Sequence, residues 1–281
     1  MASAVVKKER EMLDALSFSF MQNALMAGVL VSIACGIIGS LTVINKMTFI
    51  AGGIAHGAYG GIGIAFFLGL APLFGATIFA LMLGMLIAFI SLKNRDRTDS
   101  IIGALWAFGM AIGIVFTDLT PGYNVDLMSY LFGSILAVPN SDLWFMGILD
   151  VLFLLFIVIL YPQICAMSFD SEFAKLRGVK VTFLYYLMIA LMALCVVATI
   201  RVVGLILVIA LLTVPPYIAE KFSPNLYVMM ILASILSALF TILGLWLSFS
   251  FNLSGGASII LVATATFFAT LLFSRFKKLF R

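Results

Sequence analysis

Nine stretches of nearly unbroken apolar residues, approximately 18–44, 48–71, 73–92, 100–117, 143–161, 182–200, 202–219, 226–249 and 256–274, make up most of the chain. Each approaches the ~20 residues that an α-helix needs to cross the hydrocarbon core of a bilayer, and polar residues gather between the stretches rather than within them. The pattern predicts an all-α, polytopic membrane protein with about eight or nine transmembrane helices joined by short loops. It divides the chain into a polar N-terminal segment, 1–17, a membrane domain, 18–274, and a basic cytoplasmic tail, 275–281. No soluble domain fits beside the spans.

Charge adds an orientation. Lys93, Arg95 and Arg97 form one basic loop, Lys175, Arg177 and Lys180 a second, and Arg275, Lys277, Lys278 and Arg281 a third. By the positive-inside rule all three belong in the cytoplasm. The blocks between them number two over 100–161 and four over 182–274, both even, so the three placements agree. The N-terminal third does not close. Three blocks before Lys93 put the N-terminus outside, whereas Lys7, Lys8 and Arg10 argue for the inside, unless one early block is re-entrant or broken. Lys46, between the first two blocks, marks a membrane boundary. Gly52, Gly53, Gly57, Gly60, Gly61 and Gly63 make the second block the natural place for irregular backbone.

Composition excludes several classes. Hydrophobic residues are 64% of the chain and charged residues 10%, with a mean hydropathy of +1.24, far beyond soluble usage. The net charge of +4 resides in loops that set orientation, so the lipid membrane is the expected surroundings and no nucleic-acid partner is expected. No short apolar core with a small-residue cleavage site follows the charged run from Met1 to Asp14, and no removable signal peptide is expected. Cys35, Cys165 and Cys195 are dispersed and odd in number, which gives neither a disulfide framework nor a thiolate cluster.

Candidate chemistry begins with one residue. His56, the single histidine, lies within the second apolar block. A neutral imidazole is a transition-metal ligand and is costly to strand in lipid, so its position points to an ion path, the bland alternative being a hydrogen-bonded core histidine. Gly53, Gly57 and Gly61 recur every four residues in a small-xxx-small pattern, with Gly52, His56 and Gly60 on a neighbouring face, so this block is expected to pack closely against other helices. Asp126 and, more weakly, Asp118 flank a turn-rich loop expected to be extracytoplasmic and offer carboxylates to a cation. Asp150, in the block that follows, reads as a helix-end acid facing water or as a structural hydrogen-bonding group. Spacing alone builds no metal site here: there is no Cys-x-x-Cys and no His-x-x-x-His.

Eight segments in order carry a resemblance: Gly39-Ser-Leu-Thr-Val-Ile-Asn-Lys-Met47, Ile54-Ala-His-Gly-Ala-Tyr-Gly-Gly-Ile-Gly63, Thr98-Asp-Ser-Ile-Ile-Gly103, Val125-Asp-Leu-Met-Ser-Tyr-Leu-Phe-Gly133, Phe169-Asp-Ser-Glu-Phe-Ala-Lys-Leu-Arg-Gly178, Val203-Gly-Leu-Ile-Leu207, Leu212-Thr-Val-Pro215 and Asn252-Leu-Ser-Gly-Gly-Ala-Ser-Ile259. Over nearly its whole length the chain resembles the membrane permease subunit of bacterial zinc and manganese ABC importers. The resemblance implies a type II-like importer permease of the inner membrane, working as a homodimer with a cytoplasmic ABC ATPase and an extracytoplasmic metal-binding protein. It implies that His56 and Asp126 are transient ligands along the metal path. It implies too that the cytoplasmic loop 165–181 couples to the ATPase through Asp170, Glu172, Ala174, Arg177 and Gly178. The chain departs from the family at two positions. The usual aspartate four residues before the histidine is Gly52 here, and the aspartate some relatives carry after the Phe-Gly is Ser134.

No Gly-x-x-x-x-Gly-Lys-Ser/Thr phosphate loop occurs in the chain, so ATP is expected only on the partner and the chain is expected to be a transport subunit rather than an enzyme. No permanently bound cofactor is expected, the divalent cation being cargo; a permanent four-ligand cage would hold it too tightly to release. The sequence leaves zinc, manganese and iron open. Competing readings are an ion-coupled secondary transporter, which should show inverted repeats, and a permease for iron chelates or cobalamin, which should need a wide cavity and no inner-sphere histidine. An intramembrane metalloenzyme would need clustered ligands and a general base, which a single histidine does not supply.

Overall fold

A computed structural model describes residues 18–93, 97–121, 133 and 135–279. These form ten α-helices: α1 (Ser19–Ile44), α2 (Thr48–Phe67), α3 (Pro72–Lys93), α4 (Thr98–Asp118), α5 (Asn140–Phe169), α6 (Ser171–Leu176), α7 (Val181–Val203), α8 (Leu205–Glu220), α9 (Leu226–Phe251) and α10 (Gly255–Leu279). A 3-10 turn at Ile135–Ala137 leads into α5. Eight helices are long and apolar enough to cross a membrane, and α8, with 16 residues, is apolar but shorter. Each apolar block thus becomes one helix, and α6 is the extra polar one. α2 runs unbroken through its glycines rather than unwinding. α10 continues to Leu279, past the boundary expected at 274.

Helix ends are set by local chemistry. Lys46 adopts a left-handed φ of 56°, which lets α1 turn into α2 within three residues while Met47 N–H donates to Thr42 O at 2.8 Å. Asp170 caps α6 by accepting from Phe173 N–H at 2.9 Å, and Asn225 caps α9 by accepting from Val228 N–H at 2.9 Å. Gly204, at φ 80°, joins α7 directly to α8, a conformation that a side chain would strain.

Interhelical hydrogen bonds fix the direction of the N-terminal helix. Asn23, near the start of α1, donates to Val138 O (3.2 Å) and to Asn140 Oδ1 (2.9 Å) at the start of α5. Asn45, just past the end of α1, donates to Ser168 Oγ (3.0 Å) at the end of α5. The two helices therefore run in the same direction. With the basic loops in the cytoplasm, both start at the extracytoplasmic side, and nine crossings carry the chain to a cytoplasmic α10 end. With the loops so placed, this direction runs against the inside placement that Lys7, Lys8 and Arg10 argue for, residues that lie outside the described ones. Three downstream basic loops outweigh one N-terminal cluster, because later charges can override the first helix.

The helices fall into two groups. α2, α3 and α4 pack together, α1 packs with α8 and α9, α10 packs against those same two helices, and α7 lies between the groups, touching α1, α2, α3, α5 and α8. The middle of α7 is correspondingly enclosed, with Ile189, Ala193, Cys195 and Val196 fully buried. The outward faces of α4, α5 and α10 are apolar and open to lipid, as residues such as Phe108, Val158 and Leu261 illustrate.

The orientation is testable by thiol labelling of intact cells. Cysteines introduced at Ser19 and Pro121 are expected to react with an impermeant maleimide from outside, and cysteines at Lys93 and Lys180 only after permeabilisation. Protection of Ser19→Cys from outside would reverse the direction of α1.

Candidate functional site

His56 sits in the middle of α2, half-buried, with Nδ1 2.9 Å from the carbonyl oxygen of Gly52 one turn earlier. A carbonyl only accepts, so Nδ1 carries the proton and the neutral ring presents its lone pair at Nε2. The ring lies against Trp106 of α4, centroid to centroid 4.0 Å with planes 31° apart, and Trp106 is held in turn by Nε1–H donating to Met110 Sδ at 3.1 Å. Phe49 also neighbours Trp106, its ring centroid 6.4 Å away. The Gly52 carbonyl at Nδ1 and the Trp106 ring together set the rotamer of His56.

The glycines around it divide into two kinds. A Cβ at Gly60 would lie 2.7 Å from Gly109 O, and Cβ atoms at Gly61 and Gly63 would run into the backbone oxygens of Gly75 and Gly113. Gly53 and Gly57 face the side chains of Ile102 and Leu83 in the same way. These five let α2 approach α3 and α4 with backbones in contact. Gly52 differs. A Cβ there meets nothing within 4 Å, so no neighbour stands behind the packing role expected of it. The space is open on the face that carries His56, one turn toward the cytoplasm.

The carboxylates are spread out. Asp118 is exposed at the C-terminal end of α4, on the extracytoplasmic side by the topology above. Asp126 and Ser134 lie outside the described residues. Asp150 is 4% exposed, and neither carboxylate oxygen has a hydrogen-bond partner among the described residues, so it is neither the water-facing acid nor the structural hydrogen-bonding group that the sequence offered. Among the described residues, no three His, Cys, Asp or Glu side chains converge on a point where a metal ion could be held. Sequence reading passed over an ion pair at the extracytoplasmic end, Arg201 Nε to Asp142 Oδ2 at 2.6 Å. Its signal was available: Arg201 stands alone between two apolar blocks, where an ionisable residue requires a partner.

The loop 165–181 forms a platform. α5 runs to Phe169, Asp170 caps α6, and Gly178 ends the turn at φ 80° with open space around it. Ala174 is fully buried and anchors α6, whereas Glu172 and Lys175 pair along its surface at 2.8 Å and Arg177 lies 5.0 Å from the centre of the Phe173 ring. Phe169 is 71% exposed and Leu176 88%, with Phe173 beside them. Large apolar side chains this exposed stand here among charged neighbours at the end of a membrane bundle, a candidate interaction surface.

Comparison with known proteins gives consistent results. The sequence profile described as the ABC 3 transport family matches residues 17–274. An uncharacterized membrane protein of Synechocystis is 48% identical over 264 residues, covering 94% of each chain. The manganese transport system membrane protein of Listeria monocytogenes is 34% identical over 259 residues, covering 92% of each. The solved structure of PsaBC from Streptococcus pneumoniae in complex with Fab superposes at a TM-score of 0.84 with 33% identity, covering 93% of this chain and 94% of that one.

The two kinds of glycine should separate by mutation. Gly61→Ala is expected to lower the thermal stability of the detergent-solubilised protein by about 1–3 kcal/mol through overpacking against α3. Gly52→Ala is expected to leave it unchanged or slightly raised, since a methyl there meets no neighbour and favours the helix. Equal losses from both would remove the distinction.

Proposed function

The chain belongs to the ABC 3 transport family, and from that premise we propose that it is the membrane permease subunit of an importer for a divalent transition-metal ion. Two copies form the permease, two cytoplasmic ABC ATPases drive it, and an extracytoplasmic metal-binding protein delivers the cation to its outer mouth. Manganese is the first reading of the cargo, since the relative from Listeria monocytogenes carries that metal in its name, as does the manganese import system permease protein of Streptococcus gordonii, 33% identical over 250 residues.

His56 carries the reading. It is the chain's one imidazole, seated on a helix enclosed by others, with its protonated nitrogen occupied by Gly52 O, so that the Nε2 lone pair is the one left for a ligand. Such a nitrogen binds a first-row divalent cation and, without a closed cage around it, releases it again. Asp126 is the anionic co-ligand in this scheme. Alternating access follows: the cation meets His56 while the path opens outward, and closure of the ATPases on ATP turns the path inward. The exposed Phe169, Phe173 and Leu176 around α6 supply the apolar contact through which that closure is transmitted, with Asp170, Glu172 and Arg177 fixing register by charge.

Zinc is the second reading, and Gly52 favours it. Without a carboxylate one turn from the imidazole, the described ligand set loses the hard oxygen that manganese prefers and keeps the nitrogen that suits zinc. Competition between labelled manganese and unlabelled zinc in transporting vesicles distinguishes the two.

His56→Ala is expected to lower metal uptake by at least about tenfold at unchanged protein level in the membrane. Wild-type rates across metal concentrations would reduce His56 to a structural residue. At the other end of the molecule, Leu176→Glu is expected to prevent co-purification of the ATPase while the permease remains folded. Retention of the ATPase at wild-type stoichiometry would move the docking surface elsewhere.

A further inference from the structure

The extracytoplasmic ends of α2, α3, α5 and α7 enclose a cavity of about 440 Å³. Ile62 of α2 and Pro72, Leu73 and Ala76 of α3 form one wall, and α5 and α7 form the other, where the Asp142–Arg201 pair lies. The other recorded ion pair among the described residues, Glu172–Lys175, stays within α6; Asp142–Arg201 joins two membrane helices.

The pair is lopsided. The Asp142 side chain is 9% exposed and that of Arg201 42%. The carboxylate is fixed in place, its second oxygen accepting from Ser141 Oγ at 3.2 Å, whereas the guanidinium already borders open space and can swing away while remaining solvated. A short, charge-assisted bond to a desolvated carboxylate is strong when made and leaves a costly orphan when broken, so it favours two discrete arrangements over a continuum. Both partners also sit beside backbone joints. Asp142 is in the first turn of α5, three residues after Pro139, and Arg201 is in the last turn of α7, three residues before Gly204 at φ 80°. The ends of both helices can therefore pivot without bending their shafts, and the cavity provides the room into which the α2–α3 hairpin or α5 can move.

We propose that Asp142 and Arg201 form an extracytoplasmic latch, closed in this conformation, that ties α5 to α7 and opens once in each transport cycle. The proposal rests on the alternating-access reading above. It makes the two residues positioning residues rather than cation ligands: the guanidinium holds the carboxylate that an incoming cation would otherwise be drawn to.

The test uses the permease assembled with its ATPase in vesicles. Asp142→Cys/Arg201→Cys is made with Cys35, Cys165 and Cys195 replaced by alanine, and a short bifunctional thiol reagent bridges the pair. The bridging yield is expected to rise about threefold or more when an ATP analogue traps the complex with its path turned inward, relative to the nucleotide-free state. Equal yields in the two states overturn the latch. On the native-cysteine background, Arg201→Gln is expected to slow ATP-dependent manganese uptake about fivefold or more, with Arg201→Lys keeping most of it. Wild-type uptake in Arg201→Gln, or an equal loss in Arg201→Lys, overturns it as well. The unmodified complex is the control: no ATP-dependent uptake there sinks the transport reading, whereas normal uptake there with unchanged bridging sinks the latch alone.

Discussion

Backbone-to-backbone contact between α2 and its neighbours is the constraint from which the rest follows. In a bilayer the lipid tails are as apolar as the helix faces, so nothing equivalent to hydrophobic burial drives the helices together, and close van der Waals approach has to do it. Gly60 against Gly109 O, Gly61 against Gly75 O and Gly63 against Gly113 O provide that approach on two sides of one helix. Three such contacts fix both the depth and the roll of α2. The roll is what sets His56 against Trp106 rather than into lipid. α1 uses the same device against the other helix group, where a Cβ at Gly39 would lie 2.6 Å from Leu212 O and one at Gly36 2.6 Å from Ser234 N.

A site built this way has few donors and firm orientation. One imidazole, with one nitrogen satisfied by its own helix and one left open, cannot hold a cation as a structural zinc site does, and a transporter is better served by a weak, well-aimed ligand than by a strong cage. The cytoplasmic end shows the complementary arrangement. There Ala174 anchors a six-residue helix whose large apolar side chains face outward, so that a stiff element is held by a buried small residue and presented through exposed large ones. Between the two ends lies α7, packed against both helix groups.

The apolar period was enough to read the number and order of the helices, because each span must satisfy its own backbone inside lipid and therefore leaves a long uninterrupted signature. His56 was legible for the related reason that an ionisable group in such a stretch stands out. The role of Gly52 was not. Glycines at 52, 53, 57, 60 and 61 look alike in sequence, and only the positions of α3 and α4 separate those that are pressed against a neighbour from the one that is not. The direction of α1 was obscured by competing charge clusters and was resolved by Asn23 and Asn45, two amides whose partners lie more than a hundred residues away. That Arg201, alone between two apolar blocks, requires a partner is legible in sequence, whereas the choice of Asp142 is a property of how α5 and α7 meet.

The length of α8 has a consequence within the bundle. Its 16 residues rise about 24 Å, against about 30 Å for the hydrocarbon core of a typical bilayer. Its cytoplasmic end is marked by Glu220 and Lys221, so the shortfall lies at the opposite end, where Gly204 and the neighbouring Arg201 sit. α8 is enclosed by its neighbours, Ile206 being its one exposed large apolar side chain, so the shortfall is taken up between helices rather than at the lipid surface.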